Sequence, residues 1–423
     1  MNRFLQIFKV KDLKKKILIV AGLLIAFRVL TAIPIPGIDA NKLRSFFNSN
    51  QLLGFLNIFS GGGLSRLSIA MLGVGPYITA TIIMQLLTII FPKFKEMYYE
   101  EGSRGQAKFN QYSRLLTVPL AFLQAYGFLA LLNHEGVVKS LSLGATLVNV
   151  LIITAGSMIT MWLGELISEQ KIGNGISLII VAGIVSGIPT AIRSALISYS
   201  SSNLPTYVAF VFIAVLLTAA VVLLNEGERK VPIAYSRQVR GNKMYGGAQT
   251  YLPIKVNSAG MIPLIFAISV LLFPQFIAQI SAVFSQSLSF KLNAIVSQFL
   301  NNTWIYGIIY FLLVFIFTYF YTSITFNPEE IARNLQRSGG FVLGIRPGQN
   351  TIDFFSNLVS RVTFFGAFFL GLIAVTPLVI GYFTGISALN ISGASILIVV
   401  AVALEVMRAI DSQLTIREYE GWE

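Results

Sequence analysis

Runs of about twenty mostly apolar residues recur from one end of the chain to the other, and this recurrence constrains the fold more than any motif does. About 20 apolar residues in a helix cross the hydrocarbon core of a bilayer. Ten such runs are expected, at roughly 17–35, 69–91, 113–132, 146–166, 175–195, 206–225, 258–279, 304–324, 362–383 and 388–409. Lipid offers backbone N–H and C=O groups no partners, so each run is expected to be a helix. The stretch from Tyr310 to Tyr321 is apolar on every side, which suits a helix facing lipid better than one on a soluble core. Only 12% of the 423 residues are charged, against roughly 25% in soluble domains. The fold class read from this pattern is an all-α integral membrane protein with ten transmembrane helices.

The net charge of +13 then has a topological meaning. With the N-terminus inside, 24 of the 31 Lys and Arg residues fall on the inner side and 6 on the outer, counting arginines at span ends with the adjoining loop. Arg28 alone is left within a span. That bias places both termini in the cytoplasm. Two inner segments, 226–257 and 325–361, are long, basic and rich in Gly, Asn and Gln, and hold ten of the 24 charges. Long ordered loops usually carry function, so both are expected to form a docking surface. A polar linker at 199–205 follows the fifth run. Five is odd, so the second five spans run in the opposite sense, the arrangement of an inverted repeat. The expected division is 1–198, a hinge at 199–205, and 206–423. The first run follows Lys14, Lys15 and Lys16 and ends at Ile33-Pro34-Ile35-Pro36-Gly37 with no A-x-A cleavage site, which reads as a retained helix.

Little in the chain points to catalysis. There is no cysteine, so disulfides and thiolate metal sites are excluded. The one histidine, His134, stands in a short polar loop without a zinc-protease motif. Gly61-Gly62-Gly63-Leu64-Ser65-Arg66 lacks the lysine–hydroxyl pair of a phosphate loop, and Gly173-Asn174-Gly175 does not extend to a dinucleotide fingerprint. Both glycine clusters are expected to break helices. No cofactor is called for. Arg28, Glu165 and Glu405 are the ionisable residues placed inside spans; a solute transporter coupled to protons or ions would bury more acids or histidines near the midplane. Arg28 lies deep enough to need a partner.

The stretch from Leu52 to Leu64 is apolar, too short to span, and broken by glycines. Irregular or re-entrant backbone is tolerated in a membrane only where protein or a cavity surrounds it. A stopper in a pathway and a helix lying on the surface both fit this stretch.

Phe59-Ser60-Gly61-Gly62-Gly63-Leu64-Ser65-Arg66-Leu67-Ser68-Ile69, running into Pro76-Tyr77-Ile78 and Gln85-Leu86-Leu87-Thr88, resembles the plug and second span of the SecY family. Further matches follow in family order: Ile33-Pro34-Ile35-Pro36-Gly37-Ile38-Asp39, Met161-Trp162-Leu163-Gly164-Glu165, Ile172-Gly173-Asn174-Gly175-Ile176-Ser177, Leu252-Pro253-Ile254-Lys255-Val256-Asn257, Phe326-Asn327-Pro328-Glu329 and Gly344-Ile345-Arg346-Pro347-Gly348. The bacterial branch fits best. The resemblance implies two pseudo-symmetric five-helix halves around a central pore, with no enzymatic activity. It implies a pore ring of Val74, Ile78, Ile176, Ile180, Ile265 and Ile398. It implies a plug at about 55–67, including Phe55, Leu56, Ile58, Phe59, Ser60, Gly61, Gly62 and Leu64, and a lateral gate near Thr79, Ile82, Gln85 and Phe273.

The same resemblance implies that Arg229, Lys230, Arg237, Arg240 and Arg346 dock a SecA-type motor ATPase or a ribosome, whose ribosomal RNA is polyanionic. It implies small SecE-type and SecG-type membrane subunits, and signal peptides, nascent chains and membrane lipids as contacts, in the bacterial inner membrane. Two rivals are a secondary transporter of a small solute, which needs a polar site at the midplane, and an insertase without a pore, which needs no plug.

Overall fold

The computed structural model describes residues 10–35, 60–64, 66–99, 101–134, 142–197, 204–235, 238–240, 243–245, 249–384 and 393–420. The first part of the chain holds α1 (Lys11–Ala32), α2 (Gly75–Ile90), α3 (Pro92–Tyr99), α4 (Gly102–His134), α5 (Leu143–Glu169) and α6 (Gly175–Ile197). The second holds α7 (Leu204–Glu226), the strands β1 (Glu228–Tyr235), β2 (Gln238–Arg240), β3 (Lys243–Tyr245) and β4 (Gln249–Lys255), then α8 (Ile262–Phe284), α9 (Gln286–Asn301), α10 (Thr303–Thr325), α11 (Pro328–Arg337), β5 (Gly340–Val342), α12 (Gln349–Thr384) and α13 (Gly393–Glu420). Each of the ten expected runs overlaps a helix. Among the described residues α5, Tyr207–Glu226, Thr303–Arg337 and Gln349–Ile380 are long and apolar enough to cross a bilayer unaided. The apolar parts of α6 and α8, Gly175–Thr190 and Ile262–Gln275, are shorter.

The helix ends follow caps and prolines more than hydropathy. The second run was expected to be helical from 69, but α2 starts at Gly75, and the described residues between 60 and 74 lie mostly in turns. At its other end Pro92 holds Phe91 in an extended conformation (φ −113°, ψ 114°), as the clash with a proline ring requires, and α2 and α3 meet at a bend of 114°. Beyond the apolar runs, α4 and α12 begin at Gly102 and Gln349, well before the expected 113 and 362. Polar residues continue a helix as readily as apolar ones once its hydrogen bonds propagate. His134, expected in a loop, is the last residue of α4.

Described residues of both long loops share one sheet. Its strand order is β4-β1-β5, all antiparallel, with Val231 opposite Leu252 and Ile233 opposite Val342. A small core of Val231, Ile233, Ile254, Leu335, Val342 and Phe355 lies beneath it. Asn327 caps α11 by accepting from the N–H groups of Glu329 (3.1 Å) and Glu330 (3.4 Å), with Pro328 in the first turn. Asn, Pro and acidic residues there each suit the unpaired N–H groups of a helix start. The Phe326-Asn327-Pro328-Glu329 motif is therefore a helix cap.

Helix neighbours repeat between the two parts of the chain. In the first part α1 packs on α5 and α6, α2 on α4, α4 on α5 and α5 on α6. In the second, α7 packs on α12 and α13, α8 on α10, α10 on α12 and α12 on α13. Each pair is matched by its counterpart five spans later. The two parts meet where α8 touches α2 and α4, and again where α6 touches α13.

Two local contacts fix the first part. Arg114 on α4 pairs with Glu165 on α5 at 2.5 Å, giving Glu165 a partner inside the protein. Glu405 is exposed on α13. Gly175 lies against the Gly164 carbonyl, where a Cβ would sit 1.9 Å from the oxygen, and its N–H donates to Ser168 Oγ at 2.8 Å. Two motifs thus meet as one tight crossing of α5 and α6. Gly175→Val is expected to cost more than the roughly 1–3 kcal/mol of ordinary overpacking, because backbone cannot yield as a side chain can. Thermal unfolding in detergent should show a lowered Tm and a loss of folded yield. Gly187→Ala, with open space around the added methyl, should stay within about 2 °C of the parent.

Candidate functional site

The six branched aliphatics expected as a pore ring come from four places in the chain. Val74 and Ile78 lie one turn apart at the start of α2, Ile176 and Ile180 one turn apart on α6, Ile265 on α8 and Ile398 on α13. Residues four apart share a helix face, so each pair presents two methyl-rich side chains in one direction. All six join a single apolar cluster spanning both parts of the chain. Val74, Ile78, Ile180, Ile265 and Ile398 are buried, and Ile176 packs half-buried against them. Ile179 and Ile268, equally buried in that cluster, are indistinguishable from them by hydropathy.

Next to this cluster the chain departs from helix. Ser60, Gly61, Gly63 and Leu64 are buried and Gly62 is half-buried, in turns closed by Gly63 N–H to the Ser60 carbonyl (3.1 Å) and Leu64 N–H to Ser60 Oγ (2.9 Å). Phe55, Leu56, Ile58 and Phe59 lie outside the described residues. Gly61 has φ +65°, and a Cβ there would sit 2.4 Å from the Phe27 ring and 3.5 Å from Gly183 Cα. The left-handed conformation and the close approach both require glycine. Ile176, Ile180 and Gly183 follow i, i+4, i+7 spacing on α6, so the glycine turn rests on the ring-bearing face one turn further along.

The turns continue to Val74 and are tied down on two sides. Ile35 N–H donates to the Leu67 carbonyl (2.9 Å) and Ile69 N–H to the Ile33 carbonyl (3.0 Å), around a bridge between Pro34 and Ser68. This gives the Ile33-Pro34-Ile35 motif its role. From α5, Ser157 Oγ donates to the Gly73 carbonyl at 2.9 Å, and Gly156 lets the Ile69 carbonyl approach α5 closely. Arg28 donates to the Gly61 carbonyl at 2.6 Å. Arg114, Ser157 and Gly183 were not singled out from the sequence, because their partners are distant in sequence or are backbone atoms.

Of the expected gate residues, Ile82 is buried in the central cluster, Thr79 and Gln85 are half-buried on α2, and Phe273 is exposed beside Pro274 on α8. Helices α2 and α8 pack on each other. Gln85 Oε1 is buried without a hydrogen-bond partner, and so is Gln275 Oε1 on α8.

The expected docking residues fall into two groups. Arg229 and Lys230 are exposed on β1, with Lys230 near Glu228 at 3.4 Å. β5 runs antiparallel to β1, so the chain leaving Val342 heads toward the Arg229–Lys230 end. Arg346 is exposed there, in a turn closed by Thr351 Oγ1 donating to its carbonyl (3.1 Å) and flanked by Gly344 and Gly348 at φ +83° and +112°. Arg240 belongs to the β2–β3 hairpin beyond the opposite end of β1, its backbone paired with Lys243. Arg237 lies outside the described residues.

Known proteins share this arrangement. The SecY family model matches residues 68–407. The protein translocase subunit SecY of Mycobacterium tuberculosis (strain ATCC 25618 / H37Rv) is 40% identical over 445 residues, covering 100% of this chain and 99% of its own. That of Corynebacterium glutamicum is 40% identical over 441 residues with the same coverage. Among solved structures, a protein-conducting channel superposes with TM-score 0.63 at 18% identity, covering 93% of this chain and 90% of its own. A SecY whose plug domain is described as stabilising the closed state of the translocation channel superposes with TM-score 0.65 at 19% identity and the same coverage. Sec61 from the canine ribosome–channel complex gives 0.60 at 18%. Family model, full-length relatives and fold agree, and the chain is a multi-pass membrane protein that belongs to the SecY family.

Proposed function

We propose that this chain is the channel subunit of a protein translocase, conducting unfolded polypeptides across the bacterial inner membrane and releasing apolar segments sideways into lipid. The observation that carries the reading is the single cluster of Val74, Ile78, Ile176, Ile180, Ile265 and Ile398 drawn from both parts of the chain, with a buried glycine turn one helical turn away. A narrow apolar collar excludes water and ions at rest. It also contacts any side chain passing through without holding it by hydrogen bonds. The turn segment from Ser60 is the described part of a plug that closes one mouth of the collar. A solute transporter would place polar or charged groups at such a centre; here the groups are aliphatic. The chain acts as a channel and not as an enzyme, and energy for export comes from partners or from the membrane potential.

The division at 199–205 serves as a hinge, and the α2–α8 joint opens as the lateral gate. Both termini face the cytoplasm, together with the β4-β1-β5 sheet. Arg229, Lys230 and Arg346 at one end of that sheet, with Arg237 and Arg240 toward the other, dock a SecA-type motor or ribosomal RNA. SecE-type and SecG-type subunits bind the lipid-facing surface.

Three experiments test this reading. Deleting residues 55–64, or placing asparagine at Ile78 and Ile180, is expected to raise ion conductance severalfold in planar bilayers. Plug-deleted channels as silent as the parent would remove the stopper role. The absence of native cysteine makes Thr79→Cys with Phe273→Cys a clean probe of the gate. Oxidation should block export and a long flexible crosslinker should restore it; export undiminished by the short bond contradicts the gate assignment. Arg346→Glu should nearly abolish motor-driven export into vesicles at unchanged channel abundance. Arg346→Lys should impair it measurably, because lysine lacks the planar two-pronged donor of arginine. Normal export by the Glu variant takes Arg346 out of the docking surface.

A further inference from the structure

Arg28 is a cation within α1, about one turn from its end at Ala32, in a segment where a charge is costly unless something specific holds it. Among the described residues it pairs with no acid. Its guanidinium donates at 2.6 Å to the carbonyl of Gly61, thirty-three residues away. The acceptor belongs to the first described turn of the plug segment. The neighbouring residue on α1, Phe27, is fully buried, and its ring fills the space that a Gly61 side chain would occupy. One helical turn thus grips one glycine in two ways, with a ring against its Cα and a charged donor on its carbonyl.

Gly183, on the α6 face that carries Ile176 and Ile180, borders the same space, its Cα 3.5 Å from where a Gly61 Cβ would sit. The hydrogen bond therefore fixes where the plug sits relative to the collar. Leu67 and Gly73 are tied separately, by Ile35 N–H and Ser157 Oγ; at the glycine turn itself the side-chain donor from α1 is Arg28.

We infer that Arg28 is a positioning residue for channel closure, a latch whose guanidinium holds the plug over the collar through the Gly61 carbonyl. The inference rests on the plug reading above and adds the group that sets how readily the plug leaves. A charged donor is needed because a charge-assisted bond to a carbonyl is roughly twice as strong as a neutral one. The acceptor is main-chain, so the latch works whatever side chains the plug carries.

The test is resting ion conductance of the full channel in planar bilayers, measured for Arg28→Gln and Arg28→Lys, each with and without deletion of residues 55–64. Arg28→Gln is expected to raise the leak by about tenfold or more, the factor carried by a charge-assisted hydrogen bond. Arg28→Lys should fall between Gln and the parent. In the plug-deleted channel Arg28→Gln should add no further leak, because the two changes remove the same closure. A general packing defect would add to the deletion, and that additivity overturns the latch. A silent Arg28→Gln channel beside a leaky plug-deleted one overturns the latch and leaves the plug reading standing. A silent plug-deleted channel removes both. If Arg28→Gln does not accumulate in the membrane, Gly61→Ala carries the test from the plug side: its methyl meets the Phe27 ring at an unfavourable φ, and it should leak as well. No leak from Gly61→Ala overturns the latch.

Discussion

The requirement that buried backbone groups find partners inside the protein governs this structure. Helices meet it within themselves, which is why every expected span overlaps one. Residues 60–64 and 66–74 do not, and most of them are buried. Their N–H and C=O groups are met one at a time, by turns of their own, by the extended end of α1, by Ser157 on α5 and by Arg28. Irregular backbone at that depth is tolerated because helices surround it. The helices in turn carry glycine or small polar residues where it approaches.

The centre of the molecule combines two kinds of contact. Apolar packing through the central cluster is non-directional. The polar contacts nearby are directional and few. Ser157 on Gly73 and Arg28 on Gly61 fix the plug-bearing segment to the first part of the chain. On α2 and α8 the oxygens of Gln85 and Gln275 are buried without a hydrogen-bond partner. The repeated neighbour pattern of the helices shows how the two parts meet: each closes its own bundle, and α8 touches α2 and α4 while α6 touches α13.

Hydropathy made the spans legible, and the ordered motifs made the family legible, because both depend on residues close together in sequence. The motifs themselves turned out to be structural devices. Asn327-Pro328 is a helix cap, Gly164 and Gly175 form one helix crossing, and Pro34 sits in a bridge to the plug segment. The sheet was not legible. β1 carries Pro232, a residue that argues against a strand in sequence, and one of its partners, β5, lies more than a hundred residues away. The long polar starts of α4 and α12 were missed for a related reason: hydropathy reports solvent preference, and a helix outside the membrane has none to report.

Sequence alone determined that this chain lives in lipid, that its spans are helices, that charge biases their orientation and that the family is SecY. Each of these follows from side-chain chemistry summed over neighbouring residues. Tertiary structure decided which isoleucines share the central apolar cluster, which strands pair, and what Arg28 holds. Isoleucines differ only in the direction that packing gives them. The acceptor for Arg28 is a main-chain carbonyl, a group every residue carries and no sequence pattern marks.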